Sequence, residues 1–579
     1  MNLLSVIGEK VAAAFKAAGY DNIQTLVRAA DRPDLADYQA NGALALAKSQ
    51  HQNPREVAEK IADELKKDSF FDEVSVAGPG FINMKIKDVE LTKLATPILT
   101  QDKAGYERTD KSQTVILDYC GPNVGKVMHV GHLRSGNIGD AVRRIMTFAG
   151  DKTIGDAHLG DWGRPMGLVL TELQKRWPDM PYFKADYKSD KGYEVPFTLA
   201  DVIEAYPVAS AKAKEDEAYM EQAKNYTREL QEGNKGLRDL WKKFVDLTKA
   251  DTQDLMQQLN VHLDLWWGES TVNDRCNEMV ERLKKSKVAE LDDGAWIIRQ
   301  DGDTPPLILV NSAGAAMYAA TDLATLEARM EEFKPNVVMY FTDARQSLHF
   351  AQVFATAKKT GIVPENVKLE YQPFGSVNGA DNKPYKTRDG GVPTLRFLID
   401  SAVQKARAKM ESGEIGRDLT DAEKDEISHT VGVAALKFMD LMNDKVKNYI
   451  FDEDRMLATE GKTGPYLLYA MVRMKSILEK LGTPKGNTLT ITNPAERKLL
   501  LNLYTFPENV QIAYDNRAPH VIADYLYKLC QDFNLFYHDC PIKDTDAATQ
   551  TSRLNLVAYT LKVALLCADM LGIKVPNKM

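Results

Sequence analysis

The stretch that most constrains this chain runs from Thr114 to Gly150, TVILDYCGPNVGKVMHVGHLRSGNIGDAVRRIMTFAG. Its apolar, β-branched start, Thr114 to Tyr119, predicts a buried strand. A turn rich in Gly, Pro and Asn follows, and the periodic segment Leu133 to Phe148 predicts a helix. At the junction stands His129-Val130-Gly131-His132. A strand that feeds a glycine-containing turn and a helix start is where α/β proteins bind phosphates, because unpaired N–H groups and the positive end of the helix dipole face the ligand. Two histidines three residues apart in a first turn lie on one face. Each can donate a hydrogen bond to a phosphate oxygen, and Gly131 leaves room for a nucleotide. With 9 His and 36 Gly in the chain, chance yields roughly 0.01 such tetrapeptides. The plainer alternative is a pair of surface histidines.

The 579 residues exceed one hydrophobic core, and three domains are expected. No apolar run reaches the length of about 18 residues that a membrane span needs. The amphipathic start, MNLLSVIGEKVAAAFKAAGY, has no basic leader region, so a cytoplasmic location is expected. Five scattered cysteines without a Cys-x-x-Cys argue against both a disulfide framework and structural zinc. The net charge of −8 disfavours a nucleic-acid partner for the chain as a whole, but Gly464 to Met579 carries 13 basic against 10 acidic residues.

Residues 1–110 read as a small α/β domain, with helices near Leu3 to Ala18 and Pro54 to Lys67 and strands flanking Gly78-Pro79-Gly80. Residues 111–455 read as a doubly wound parallel-sheet domain, with strands at Lys152 to Gly155, Leu307 to Val310 and Asn336 to Phe341. A charge-rich helical insertion near 175–260 reads as solvated, without a site. His158, Asp161 and Trp162 stand either at a ligand-binding strand end or in a tight turn pinned by the aspartate. Tyr318, Asp322, Asp343, Gln346 and His349 fall at strand–helix junctions. The loop after Gly375 carries Lys383, Lys386 and Arg388, cations suited to a pyrophosphate leaving group or simply to solvent. Residues 456–579 read as an all-helical bundle.

The blocks DYCGPNVGKVMHVGHLRSGNIGD, HLGDWG, GES, YAATDLA, DARQSLHFAQVF, KPYKTRDGG, YIFDEDRML and EGKTGPYLLYA occur here in the order of the arginyl-tRNA synthetases, which they resemble. His129-Val130-Gly131-His132 resembles the HIGH signature of class I aminoacyl-tRNA synthetases, and the last domain resembles their DALR-type anticodon-binding bundle. The resemblance covers essentially the whole chain. It implies a Rossmann-like catalytic domain and an N-terminal domain that contacts tRNA. The implied activity is ATP-dependent formation of arginyl-adenylate followed by transfer to tRNA(Arg), the first step also requiring tRNA. ATP enters as a substrate with Mg2+, and no tightly bound cofactor, no protein-held metal and a monomer are expected.

By motif match ATP is held by Pro122, Asn123, Val124, Gly125, Lys126, Val127, Met128, His129, Val130, Gly131 and His132. Catalysis falls to His129, His132, Lys126, Lys383, Lys386 and Arg388. Arginine is held by Asp118, Asn123, Tyr318, Asp322 and Gln346. A guanidinium is read best by a carboxylate accepting two parallel bonds, from either Asp322 or Asp118. The chain departs from the family at three places. KPYKTR replaces the KMSKS pattern, with Lys126 taking part of the missing lysine's work. Cys120-Gly121 stands where a Ser-Ser pair is common, and Thr321 stands where many members carry Arg. Tyr466, Tyr469 and Met579 are candidate anticodon contacts. The alternatives are a catalytically inactive tRNA-binding relative or another class I synthetase.

Overall fold

The computed structural model describes residues 2–579 apart from 22, 23, 31, 33, 109, 313, 380, 384–392, 414, 415, 417, 418 and 485. Its centre is a sheet of four parallel strands: β1 (Thr114–Asp118), β2 (Lys152–Asp156), β3 (Val337–Asp343) and β4 (Lys368–Phe374). They lie in the order β4-β3-β1-β2. The crossovers run through helices α1 (Val130–Ala149), α2 (Tyr318–Phe333) and α3 (Ser347–Lys359).

Side chains alternate between the two faces of the sheet, and both faces are covered, which is why these strands are continuously apolar. Val115, Leu117, Met339 and Phe341 enter the core shared with α1 and the C-terminal bundle. Ile116, Val338 and Tyr340 enter a second core under α2 and α3. Helix α1 therefore sits between sheet and bundle, and Gly150 closes it at φ 105°, a left-handed position that glycine adopts without strain.

Two sequence expectations change. Leu307–Val310 is not a strand of the parallel sheet; it pairs antiparallel in a separate three-stranded sheet with Ala295–Ile298 and Glu290–Asp292. Asp293 and Gly294, at φ 43° and 77°, form the hairpin turn that builds this sheet. A four-residue apolar run satisfies either arrangement, so periodicity could not separate them. The insertion is more than a solvated excursion. Its helices Leu199–Glu215, Glu217–Glu232 and Lys235–Gln258 pack with Arg164–Arg176 around Val169, Leu173, Tyr226 and Phe244, and this core reaches Val124 and Trp162 beside the histidine junction.

The N-terminal region is a four-stranded antiparallel sheet, in the order Val27–Ala29, Tyr38–Ala40, Phe81–Ile86, Phe71–Ala77, with helices packed on it. Asn53 caps Pro54–Leu65 by accepting the Arg55 N–H at 3.0 Å. Helix Asp88–Leu99 then docks on the C-terminal helices. Arg497 grips Asp37 at 2.7 and 2.9 Å and Asp88 at 2.7 Å, and Lys562 donates to the Thr100 carbonyl at 2.9 Å. Among the described residues that bundle is built from Gly464–Leu481, Pro494–Tyr504, Phe506–Asn516, Pro519–Asp539 and Ala547–Met570.

Candidate active site

Strand order reverses between β1 and β3, since β1 connects outward to β2 and the chain then returns to the other side of β1. Open α/β sheets bind ligands beyond the carboxyl ends of the strands at such a point. A cavity of about 560 Å³ opens there. Asp118, Asn123, His129, Gly131, His132, Tyr318, Asp322 and Gln346 all line it, from three separate blocks of sequence.

The junction is built by close backbone approach. After β1 the chain turns at Cys120, whose φ of 63° is left-handed and costs a residue with a β-carbon about 1–2 kcal/mol. Ser135 of α1 holds this turn: its Oγ accepts from the Cys120 N–H at 3.0 Å and donates to the Phe341 carbonyl at 2.9 Å, tying β1 to β3. The Cys120 thiol is buried against Met256. At Gly121 a β-carbon would meet the His158 carbonyl oxygen at 2.1 Å. The Cys120-Gly121 pair is therefore explained by packing, with the thiol turned into the core and the glycine admitting a neighbouring loop. Gly160 repeats the device, since a β-carbon there would meet Asn123 Oδ1 at 2.1 Å.

His129 is the N-cap of α1. Its Nδ1 accepts the Gly131 N–H at 3.0 Å, and Nδ1 of His132 accepts the His129 N–H at 3.1 Å. Both rings thus use Nδ1 as acceptor, so each neutral imidazole carries its proton on Nε2. Burial, with His129 alongside, lowers the His132 imidazolium to about 3, and burial, then Arg345 and Lys126, lowers His129. The pair is therefore a set of neutral Nε2–H donors at a helix N-terminus. The remaining residues of this segment serve differently. Val124, Met128 and Val130 are buried in packing, Pro122 accepts the Gly160 N–H at 3.1 Å through its carbonyl, and Val127 is exposed. Gly125 turns at φ 75°. Lys126 is exposed, with Nζ 5.1 Å from the ring centroid of Tyr206 in the insertion.

Opposite the histidines the wall is acidic. Asp322 accepts from Nε2 of His349 at 2.5 Å, a bond that raises the His349 pKa. Glu269 lines the same cavity, and burial, then Asp161 and Asp322, push its carboxyl up to about 8. Asp161 holds the turn that carries it, accepting from Ser270 N at 2.9 Å and Ser270 Oγ at 2.5 Å. The aspartate thus pins a turn, but a distant one. Nothing local in GES marks Glu269, because its burial among carboxylates is a tertiary property. Asp118 is partly engaged already: its Oδ2 accepts from Arg329 Nη2 at 2.6 Å, and the same nitrogen reaches Asp156 Oδ2 at 2.5 Å. Arg329 is fully buried and also donates to the Tyr340 hydroxyl at 3.0 Å. Thr321 donates to the Tyr318 carbonyl at 2.8 Å.

Lys383 does not line this cavity; it sits in a turn where its carbonyl accepts the Gly379 N–H at 2.9 Å. Lys386 and Arg388 lie outside the described residues. Among the described residues one set of metal-type side chains converges, Asp118, Asp156 and His158, and the Arg329 guanidinium already joins its two carboxylates.

Residues 94–453 match the family model described as tRNA synthetases class I (R), catalytic domain. Residues 2–86 match the arginyl tRNA synthetase N terminal domain, and 467–579 the DALR anticodon binding domain. The arginine–tRNA ligase of Alkaliphilus oremlandii is 41% identical, each chain being covered in full. The arginyl-tRNA synthetase structure from Plasmodium falciparum superposes with TM-score 0.81 at 25% identity, covering 100% of this chain and 99% of that one. The fold is shared also with the Thermus thermophilus arginyl-tRNA synthetase, at TM-score 0.80, 24% identity and full coverage of both chains. With a catalytic-domain match over most of its length and relatives near 40% identity from end to end, the chain belongs to the arginyl-tRNA synthetase family.

Proposed function

We propose that this chain is an arginine–tRNA ligase whose cavity between β1 and β3 performs both steps. The observation that carries the reading is the pairing of an acidic wall, Asp322 and Glu269, with neutral Nε2–H donors at a helix N-terminus across the same cavity. The acidic wall suits a guanidinium and the donors suit phosphates. In the first step a carboxylate oxygen of arginine attacks the α-phosphorus of ATP, the bond to the bridging oxygen breaks and pyrophosphate leaves. In the second a ribose hydroxyl of the terminal nucleotide of tRNA(Arg) attacks the arginyl carbonyl and AMP departs. The protein contributes position and charge neutralisation rather than a covalent intermediate. His129 and His132 donate to phosphate oxygens, and Lys126 with Lys383, Lys386 and Arg388 offsets charge developing on pyrophosphate. Asn123, Tyr318 and Gln346 complete the arginine pocket around Asp322 and Asp118. A lysine substrate leaves part of the acidic wall unpaired and is rejected for that reason.

Magnesium supplies charge neutralisation when it arrives on the ATP phosphates, whose oxygens are its natural ligands. The Asp118–Asp156–His158 cluster does not fit a resident cation, because Arg329 joins its carboxylates. The bundle presents an exposed platform suited to unpaired bases, where Arg473 lies 4.6 Å from the ring of Tyr469 and 5.2 Å from that of Tyr537. Tyr466, by contrast, accepts from Asn534 at 2.9 Å and is half-buried. We read the chain as a monomer acting in the cytosol. No helix among the described residues is long and apolar enough to cross a membrane.

The test is arginine-dependent exchange of pyrophosphate into ATP, run with and without tRNA(Arg), followed by arginyl-tRNA formation. Exchange driven by another amino acid but not by arginine overturns the reading, as does tRNA binding without aminoacylation. The acidic wall adds a pH signature. Burial, then Asp161 and Asp322, push Glu269 up to about 8, and a bound guanidinium lowers that value, so binding below that pH releases a proton. Arginine affinity should therefore rise as pH climbs toward about 8 and level off above it, by up to about tenfold per unit. Calorimetry in buffers of different ionisation enthalpy reads the proton directly. Glu269→Gln should release one proton fewer, and an unchanged proton count would remove Glu269 from the pocket.

A further inference from the structure

The insertion touches the histidine junction from two sides. Tyr206 lies beside Lys126 on one side. On the other, Asp251 and Asp254, three residues apart on one face of helix Lys235–Gln258, both accept from Nη2 of Arg396, at 2.7 and 2.9 Å. Arg396 follows directly on the segment that lies against the junction. Leu395, fully buried, donates its N–H to the Met128 carbonyl at 2.8 Å, and Thr394 forms an antiparallel bridge with His129. Thr394 in turn caps helix Leu395–Glu411, its Oγ1 accepting from Phe397 N at 3.1 Å.

We propose that Arg396 is a positioning residue for adenylate formation. Its bridge to Asp251 and Asp254 sets Thr394 and Leu395 against Met128 and His129, and through them the place of both imidazoles. Both rings depend on the His129 backbone, because the His129 N–H is what His132 Nδ1 holds. Arg396 and the two aspartates are substantially exposed, at 44%, 31% and 50%. An exposed bridge adds little to global stability, whereas an error of an ångström in a group facing the reacting phosphate is strongly amplified in rate. The charge-rich insertion thereby gains a role in the chemistry that its composition did not disclose. The kinetic part of this inference rests on the arginine-activation reading.

The test compares full-length wild type, Arg396→Ala, Arg396→Lys, the pair Asp251→Ala/Asp254→Ala, and the three alanines together. In arginine-dependent pyrophosphate exchange with tRNA(Arg) present, Arg396→Ala should lower kcat about tenfold, with Tm held within about 2 °C. The aspartate pair should lose as much, the triple variant no more than either, and Arg396→Lys should recover most of the rate. High salt should bring wild type toward the variants by screening the exposed bridge. Hydrogen exchange of the peptide covering residues 126–136 reads the clasp without any chemistry, and should quicken in Arg396→Ala and in the aspartate pair. Full activity in the aspartate pair with an impaired Arg396→Ala would instead make Arg396 a direct contact to nucleotide or RNA. Losses that track Tm would make the bridge merely structural, and unchanged hydrogen exchange would overturn the clasp itself. A wild-type chain inert toward arginine overturns the ligase reading alone, leaving the clasp to be judged by hydrogen exchange.

Discussion

His132→Ala should slow arginyl-adenylate formation by about 10²–10³-fold while leaving affinity for tRNA(Arg) nearly unchanged. The Nε2–H lost is a neutral donor at the positive end of α1, which in the proposed reaction faces the negative charge that gathers as pyrophosphate departs. Because burial keeps the His132 imidazolium near 3, the ring is in its donating form across the whole working range, and the wild-type rate should show no limb from its titration. The same substitution removes the acceptor of the His129 N–H, a capping loss of about 1 kcal/mol. Pyrophosphate exchange and filter binding of tRNA, measured on one preparation, separate the two effects. Equal losses in both would make the histidine a structural cap and nothing more.

Arg329→Met should cost about 3–5 kcal/mol of stability, the largest single effect expected from this scaffold outside a glycine clash. The guanidinium is fully buried and joins Asp118 to Asp156. Removing it leaves two carboxylates in the low-dielectric end of the sheet with no cation between them. Burial already raises Asp118 above the usual carboxylate range, and Arg329 is the first of the groups opposing that rise. In the variant the folded-state pKa moves higher still. A group whose folded pKa exceeds its unfolded one stabilises only while protonated, so the variant should regain stability as pH falls from neutrality toward the ordinary carboxylate range, and lose it again on return. Urea unfolding at two pH values checks both magnitude and sign. A cost below about 1 kcal/mol would mean that the carboxylates find another partner.

Much of the fold was legible because it rests on local patterns. The apolar run at Thr114, the turn residues after it and the periodic segment beyond fixed β1 and α1 to within a few residues, and the histidine spacing put both rings on one face. Long apolar helices after Gly464 announced the bundle. Properties that depend on what lies opposite were not legible. Leu307–Val310 has the composition of a sheet core, yet its partner is a hairpin whose turn lies before it. Cys120 and Gly121 stand in sequence where a substrate contact is common, and only the fold sets the His158 carbonyl against the glycine. In the sequence Arg329 is one charge in a helical segment, and only the fold brings it between aspartates from β1 and β2. Glu269 and Arg396 share this character, since a charged residue in a polar stretch gives no local sign of the carboxylates or carbonyls it will meet.

The long-range dock between the first and last domains has a consequence for biogenesis. Among the described residues the N-terminal sheet pairs only with itself, so it can form as soon as it leaves the ribosome. Helix Asp88–Leu99 cannot be covered then, because Arg497 and its neighbours are about 400 residues further along, a delay of roughly 20–80 s at 5–20 residues per second. During that interval Leu91, Ala95, Ile98 and Leu99, all buried in the finished protein, face the solvent as one apolar strip. A nascent chain stalled anywhere between β1 and the bundle carries that strip open, which makes it the natural point of capture for a chaperone and the first surface through which truncated products aggregate.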